Sequence, residues 1–220
     1  MRKLMPAVGA VAAAALCVAA AMVGAQEPKG GERLELPAPQ TEGGRPLMQV
    51  LKDRKSSRSF SAEPLPAQQL SNLLWAAWGV NRPDSGKRTA PSAVNWQHMD
   101  VYVAMADGLY LYNAQAHALD LVRARDVRAV TGRQDFVGAA PLNLVYVSDW
   151  ARMGRASEDD KAFYSAAAAG FISQNVYLYC ASEGLATVVR ALIDRPALAG
   201  AMGLRPDQKI VLAQTVGYPQ

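Results

Sequence analysis

The sequence has very little cysteine and histidine. Only two cysteines occur in 220 residues, and Cys17 lies in an N-terminal apolar run that we expect to be removed, so an internal disulfide is not expected. The remaining thiol, Cys180, sits in an apolar run and is interpreted as buried and inert. With only His98 and His117, a histidine-rich metal site is not expected. The fold must therefore be stabilised by packing alone.

Other absences concern nucleotides and nucleic acids. The chain contains neither a Walker loop nor a Gly-x-Gly-x-x-Gly motif, and it has no Gly-x-Ser-x-Gly elbow around a serine nucleophile. Removal of the N-terminal run would also take away Arg2 and Lys3, which leaves 21 of the 23 basic residues against 19 acidic ones, a near-balance that argues against a nucleic-acid-binding surface. No catalytic side chain stands out, a profile typical of a protein whose chemistry belongs to a bound cofactor.

The N-terminus has the three parts of a secretory signal. A basic start (MRK) precedes an uncharged run, Leu4–Ala25, and Val23-Gly24-Ala25 places small residues where a signal peptidase cleaves. An uncleaved membrane anchor is the alternative, since the run is long enough to span a bilayer. Its Ala-rich, Leu-poor composition favours cleavage after Ala25. We therefore expect residues 1–25 to be a signal peptide, with export to the periplasm and no membrane insertion after cleavage.

The rest of the chain is predicted to be a tether and one domain. Residues 26–45 are rich in Pro, Gly and charge and are expected to form a flexible tether. Residues 46–220 are predicted to form an α+β domain with a mixed, largely antiparallel sheet flanked by helices. Helical periodicity is found in PLMQVLKD and PLPAQQLSNLLWAAWGV, and EDDKAFYSAAAAGFISQNVYLYCAS is predicted to be a long central helix ended by Gly184.

Five strands are predicted from alternation and from buried apolar runs. MDVYVAMADGLYLYNA alternates around Asp107-Gly108, a strong hairpin signal. LNLVYVSD is expected to be a buried strand, and LATVVRA and KIVLAQTVGY are expected to flank a short helix around DRPALAGAMG. The hairpin makes the predicted sheet at least partly antiparallel.

Three cations and three hydroxyls lie together in RKSSRSF, residues 54–60. A Ser-rich stretch after a short helix is expected to be extended or irregular. Residues i, i+2 and i+4 of an extended segment point the same way, so Arg54, Ser56 and Arg58 share one face. Two guanidinium groups with a hydroxyl between them suit a phosphate. The alternative is a solvated basic edge, the commoner outcome for a charge run taken alone.

A second candidate is RTAPSAVNWQ, residues 88–97. Small and polar residues before a strand allow the backbone to approach a flat ligand closely. The amides of Asn95 and Gln97 both donate and accept, as the edge of a heteroaromatic ring requires. The alternative is a plain loop, which these residues alone do not exclude.

Taken in order, the motifs resemble the nitroreductase superfamily of FMN enzymes, and the hairpin resembles its azoline-dehydrogenase branch. They are Arg-x-Ser-x-Arg at residues 54–58, the helix LSNLLWAAWGVNR, a Pro-Ser-small-x-Asn-x-Gln motif at 91–97, the hairpin VYVAMADGLYLYNA, the central helix, and the closing AQTVGYP. The resemblance covers about residues 46–219. It implies an extensive homodimer with FMN at the subunit interface and a small-molecule substrate.

The resemblance also implies which residues contact FMN. Arg54, Ser56 and Arg58 are expected to hold the phosphate, with Lys55 contributing backbone. A ring-facing segment is expected largely from the partner subunit, and its residues are Pro91, Ser92, Ala93, Asn95 and Gln97. The backbone of Val188, Val189 and Arg190 is expected to approach the isoalloxazine. Many relatives have a further cation shortly after the closing motif, and Arg190 is one candidate to replace it.

The implied function is an FMN-dependent oxidoreductase that transfers hydride or electrons between a donor and a small organic substrate. A dehydrogenase that oxidises its substrate and passes the electrons on is one alternative. A flavin-binding scaffold without activity is another, since a fold can outlive one function. His98 follows Gln97 where many nitroreductases have proline, near the expected substrate face.

Cleavage after Ala25 predicts that the mature protein begins at Gln26. Sequencing the N-terminus of the protein purified from its native host checks this directly. Recovery of the intact Met1 end in a membrane fraction would instead support the anchor.

Overall fold

The computed structural model describes residue 1 and residues 32–220. The predicted cleavage site and the first part of the predicted tether lie outside the described residues. The helices are α1 (Leu47–Asp53), α2 (Ala67–Trp78), α3 (Glu158–Glu183) and α4 (Arg195–Met202). The strands are β1 (Arg33–Glu35), β2 (Val80–Arg82), β3 (Lys87–Arg88), β4 (Met99–Ala104), β5 (Leu109–Asn113), β6 (Ala118–Arg123), β7 (Leu142–Asp149), β8 (Ala186–Arg190) and β9 (Gln208–Gly217). None of the helices in these ranges is long and apolar enough to cross a membrane.

Seven strands form one sheet in the order β1-β6-β5-β4-β7-β9-β8, and β2 and β3 form a separate hairpin. Every neighbouring pair of the large sheet is antiparallel. The α+β class, the antiparallel pairing and the long helix are therefore confirmed. β8 is an edge strand, so its outer backbone groups need partners from outside the sheet.

The sheet is covered on both faces, and successive side chains of β4 pack alternately on one face and the other. Val101 and Val103 pack into the main core with α2 and α3, while Tyr102 and Ala104 pack on the other side with α4. All six residues of β4 are buried. The predicted turn follows, with the Met105 N–H donating to the Gly108 carbonyl at 2.9 Å.

α3 lies against the sheet and begins and ends as predicted. Ser157 caps its start by accepting from the Asp160 N–H at 3.1 Å, and acidic residues fill the first turn, where they favour the helix dipole. Gly184 ends it in the left-handed conformation, with φ of 72°. Cys180 on the core face is fully buried, as predicted, and burial raises the pKa of its thiol well above the ordinary value, which favours an unreactive thiol.

The described part of the predicted tether, residues 32–45, packs on the domain, and that expectation needs correction. β1 pairs with β6, and Leu36 packs against the main core. The Ser71 hydroxyl of α2 donates to the Pro37 carbonyl at 2.6 Å, and the Gln40 N–H donates to the Asn72 side chain at 2.8 Å. The ladder to β6 holds β1 as an edge strand, and the polar face of α2 bonds the backbone that follows. Pro and Gly content alone did not reveal either partner.

Candidate functional site

The segment 54–58 leaves α1 and runs along the outer edge of β8. The Arg54 N–H closes α1 by donating to the Val50 carbonyl at 2.8 Å, and the Ser57 N–H donates to the Thr187 carbonyl at 2.9 Å. Residues 54–59 are not helical, as predicted. The segment therefore covers one end of the open edge.

Tyr177 of α3 connects this segment to β8. Its hydroxyl oxygen lies 2.8 Å from Ser56 Oγ and accepts from the Val189 N–H at 3.0 Å. Because the oxygen accepts from Val189, the Tyr177 hydroxyl can donate to Ser56 and leave the Ser56 hydrogen free for a ligand. Arg54 lies over the Tyr177 ring, 5.1 Å from its centroid. The expectation that Arg54 and Ser56 share one side is confirmed by this common partner.

The sequence analysis did not predict Tyr177 as a residue of the site. Its only signal there was a hydroxyl within an apolar run, and that signal does not say which loop the hydroxyl meets.

A cleft of about 670 Å³ lies between the segment and the start of β8. Three of the side chains that line it are cationic and one is acidic, so it favours an anion. Its lining from α1 and the following segment is Lys52, Asp53, Arg54, Lys55 and Ser57. The cleft continues to Thr187 and to Pro219 near the end of the chain.

β8 places the predicted ring-facing backbone at the open edge. The Val189 N–H points outward to Tyr177, while Val188 is buried in a small apolar cluster with Phe60 and Phe136. Arg190 turns into the interior, where it donates to the Thr131 carbonyl at 2.9 Å and to Asn143 Oδ1 at 2.8 Å. Burial lowers the pKa of the Arg190 guanidinium to about 10. The idea that Arg190 replaces a phosphate-binding cation is therefore wrong, because its donors are occupied inside the protein.

The loop 92–97 has a strained backbone. Val94, Asn95 and Gln97 have φ of 41°, 58° and 45°, in the left-handed region that a β-branched residue such as Val94 rarely adopts. Val94 is 81% exposed, so no local burial offsets this strain. Such outliers cluster where the surrounding structure holds a backbone for function.

Gln97 is the residue that holds this loop together. Its N–H donates to Ser92 Oγ at 3.0 Å, and its Nε2 donates to the Gly86 carbonyl at 3.0 Å. Its Oε1 accepts from Arg88 Nε at 2.8 Å, and its carbonyl accepts from Arg152 at 3.2 Å. Within the described residues, each of its polar groups has a protein partner. The geometry gives Gln97 a role in shaping the loop. Asn95 Oδ1 accepts from Gln97 Nε2 at 3.2 Å, so Asn95 has its side-chain N–H groups to offer a ligand.

The two predicted cofactor segments contact opposite parts of α3 in one chain. Trp96 of the loop lies edge-on to Tyr164, with centroids 5.7 Å apart, whereas the segment 54–58 meets Tyr177. At 1.5 Å per residue, Tyr164 and Tyr177 are roughly 20 Å apart along the helix. A single copy therefore does not bring the two segments together, an arrangement consistent with a site completed by a second copy.

The two histidines differ in their surroundings. His98 is fully buried beside Trp96, and within the described residues neither ring nitrogen has a hydrogen-bond partner. Burial lowers the pKa of its imidazole; the Tyr164 backbone opposes this, and the charge of Arg152 adds to it. His117, for which the sequence offered no partner, lies 2.7 Å from Ser71 Oγ and 2.9 Å from the Tyr112 hydroxyl. His117 therefore joins the β5–β6 turn to α2.

Comparison with known proteins points to one family. The model of the family described as "Nitroreductase family" matches residues 51–218. A protein of Methanocaldococcus jannaschii with the provisional name nitroreductase is 32% identical over 168 residues, which cover 72% of this chain and 84% of that protein.

Solved structures extend the comparison. A crystal structure from Ralstonia eutropha, also provisionally named a nitroreductase, is 49% identical, with a TM-score of 0.82 over 86% of this chain and 90% of that one. A structure from Desulfovibrio desulfuricans in complex with FMN is 23% identical, with a TM-score of 0.57 over 80% and 88%. At that identity it shows a shared fold.

The azoline-dehydrogenase branch, which the hairpin led us to expect as nearest, enters only as a distant structural neighbour. A chain of the E. coli microcin synthetase complex is 19% identical, with a TM-score of 0.68 over 76% of this chain and 70% of that one. The superfamily is confirmed, and the closeness to this branch rests on fold alone.

The burial of His98 predicts an acid-sensitive fold. Because the folded-state pKa lies below the unfolded value near 6.5, the unfolded chain binds the proton first, and the free energy of unfolding falls as pH drops below that value. Urea denaturation of the apo-protein at a series of pH values should show a shallower fall for His98→Leu. The variant His117→Leu measures the share of the second histidine. An unchanged pH dependence in His98→Leu would contradict the prediction.

Proposed function

The chain belongs to the nitroreductase family, and from this premise we propose that it is an FMN-dependent oxidoreductase acting between an electron donor and a small organic substrate. The observation that carries the proposal is the hydroxyl of Tyr177, which joins Ser56 of the basic segment to the outward backbone of Val189. Because this hydroxyl brings Ser56 next to the edge of β8, it supports a site in which phosphate donors lie beside a strand edge that faces the ring.

The residues present fit the phosphate of FMN. Arg54 is held by its stack on Tyr177, and Ser56 has a hydroxyl hydrogen to donate. Arg58 is exposed two residues further along the same segment. Charge-assisted donors from several directions are what a phosphate requires, so Arg54, Ser56 and Arg58 bind it, with Lys55 beside them.

The residues at the open edge fit a flat ring. When bound, FMN supplies the chemistry of accepting and releasing hydride. The backbone of Val188–Arg190 orients the ring from one subunit. The strained loop that includes Pro91, Ser92, Ala93 and Asn95 covers it from the other, with Gln97 and Arg88 holding the loop in shape.

A second copy of the chain is needed to complete this site, and we propose a homodimer. Large apolar side chains are exposed on α1 and α3, the two helices next to the basic segment, and they are Leu47, Met48, Leu51, Phe163 and Phe171. Exposed apolar patches of this kind mark interaction surfaces. A dimer through α3 buries them and brings a partner's loop to each site.

The proposal includes export to the periplasm, which rests on the N-terminal pattern of the sequence. Soluble nicotinamide donors are not expected in that compartment. The electron donor is therefore proposed to be a compound other than a soluble nicotinamide. If electrons flow from the substrate to an acceptor, the same site oxidises the substrate.

The role of the basic segment predicts a phosphate-specific loss of affinity. Arg58→Ala should weaken FMN binding by about 1.5–3 kcal/mol, the value of a hydrogen bond to a charged group, which is one to two decades in Kd. Arg54→Ala should cost at least as much. Both losses should shrink for riboflavin, which has no phosphate. Titration of the apo-protein with both flavins measures this.

Two further variants sharpen the titration. Arg125→Ala removes an exposed arginine that donates to the Ala201 carbonyl of α4, away from both predicted FMN segments, and should leave both affinities unchanged. Lys55→Ala tests the cleft side of the segment, and a loss as large as that of Arg58→Ala would move the phosphate into the cleft. Equal FMN affinity in all variants would identify the segment as a solvated basic edge.

The dimer predicts that a charge on the exposed face of α3 separates the subunits. Phe171→Arg should shift the protein toward monomer and release FMN, because a buried unpaired charge is costly at an interface. Size-exclusion chromatography with light scattering and flavin absorbance measures both. Val130→Arg, at an exposed apolar residue on another part of the surface, is the matched control. A wild-type monomer that retains FMN would refute the shared site.

A further inference from the structure

Two buried carboxylates lie at the end of the sheet where the loop 92–97 leads into β4. Asp100 is the second residue of β4, and Asp149 is the last residue of the neighbouring strand β7. The two residues are 8% and 5% exposed. A buried carboxylate is costly unless a cation or several donors satisfy it, so this pair needs a partner of opposite charge.

Arg152 is the partner of both carboxylates. It lies in the short 3₁₀ helix that follows β7. Its Nη1 and Nη2 donate to the two carboxylate oxygens of Asp100 at 2.8 Å and 3.0 Å, and its Nε lies 3.3 Å from Asp149 Oδ2. A planar guanidinium suits this forked contact. The side chain of Arg152 is 41% exposed, so the two carboxylates, and not burial, hold it in place.

The same guanidinium bonds the loop. Arg152 Nη1 also donates to the Gln97 carbonyl at 3.2 Å. Gln97 is the last residue of the loop with a left-handed backbone, at φ of 45°, and such a conformation persists only where the surroundings hold it. The bond from Arg152 therefore restrains the main chain at the point where the strained loop joins the sheet.

The next residue is fastened to the same place. The Asp149 N–H donates to the His98 carbonyl at 2.8 Å. Asp149 thus holds the chain directly through its backbone and holds Arg152 through its carboxylate. Two successive carbonyls at the end of the loop are therefore bound to one group of residues at the ends of β4 and β7.

We propose that Arg152 positions the loop 92–97 over the FMN bound to the partner subunit. The inference rests on the proposed function, in which this loop covers the ring from a second copy of the chain. Because Arg152 is held by carboxylates of two core strands, its bond to Gln97 fixes the loop relative to the sheet. Arg152 is a positioning residue, which acts through the loop and needs no contact with cofactor or substrate.

A loop that faces the ring affects flavin affinity without regard to the phosphate. Arg152→Gln removes the forked contact and the charge, and it should weaken FMN and riboflavin by the same factor, roughly tenfold in Kd, as expected for one bond to a charged group. Loss of Arg58, in contrast, should weaken FMN more than riboflavin. Titration of the apo-protein with both flavins therefore distinguishes a displaced loop from a damaged phosphate site.

Hydrogen exchange of the apo-protein gives a second readout that needs no flavin. The N–H groups of residues 95–97 all donate within the loop, so their exchange with deuterium measures how firmly the loop is held. Arg152→Gln should speed this exchange roughly tenfold, by the same loss of one bond to a charged group.

Arg205→Gln is the matched control. Arg205 Nη2 lies 2.9 Å from Asp149 Oδ2, and within the described residues Arg205 has no hydrogen bond to the loop. This variant removes a guanidinium from the same buried carboxylate and should leave the exchange of residues 95–97 and both flavin affinities near the wild-type values. Equal changes in Arg152→Gln and Arg205→Gln would overturn the proposal, because any lost ion pair would then have the same effect.

Arg152→Lys covers the case in which the neutral variant fails to fold. Burial raises the pKa of the Asp100 carboxyl, and the bonds from Arg152 oppose that rise, so a neutral residue here leaves a costly buried group. Lysine keeps the charge, but a single ammonium does not reproduce the planar fork that also reaches the Gln97 carbonyl. This variant should fold and change both readouts in the same direction. A folded Arg152→Lys protein with wild-type exchange and wild-type flavin affinities would overturn the proposal.

The outcomes separate this inference from the function beneath it. If the wild type binds FMN and Arg152→Gln binds both flavins equally well, only the role of Arg152 fails. A wild-type chain that binds neither flavin, detected by the absence of flavin absorbance after loading, would overturn the proposed function itself.

Discussion

The open outer edge of β8 is the constraint on which the site depends. An edge strand presents backbone donors and acceptors that must find partners. Here the segment 54–61 satisfies one end through Ser57, and the Tyr177 hydroxyl satisfies the N–H of Val189. Where loops cover an edge only in part, a ligand can use what remains. The basic segment is thus held at the edge by backbone hydrogen bonds, and its cations are gathered there without needing acidic partners of their own.

The loop 92–97 is likewise held in place by hydrogen bonds to residues outside it. Its left-handed residues cost conformational energy, and Gln97 offsets that cost by bonding the loop to Arg88, Gly86 and Arg152. Arg88 is itself stacked on Trp78, 5.4 Å from the ring, and burial lowers the pKa of its guanidinium. Arg88, Gln97 and Arg152 therefore determine the shape of this exposed loop.

Sequence reasoning worked where the chemistry is local. The hairpin at Asp107-Gly108, the start of α3 at Glu158 and its end at Gly184 depend on neighbours within a few residues, and all three were predicted. β6 and the packed segment 32–45 were not predicted. An edge strand of three residues has little pattern of its own, and its stability comes from a partner distant in sequence.

The sequence by itself determined the residue types of the site, which are the cations and hydroxyls of residues 54–58 and the amides of Asn95 and Gln97. It also showed that these motifs occur in an order that resembles the family's. Only the tertiary structure decided what those side chains do. It turned Arg190 inward and occupied every polar group of Gln97, and it brought in Tyr177. The physical reason is that hydrogen-bond partners and burial are set by contacts across the fold, whereas spacing along an extended chain or a helix shows only which residues share a face.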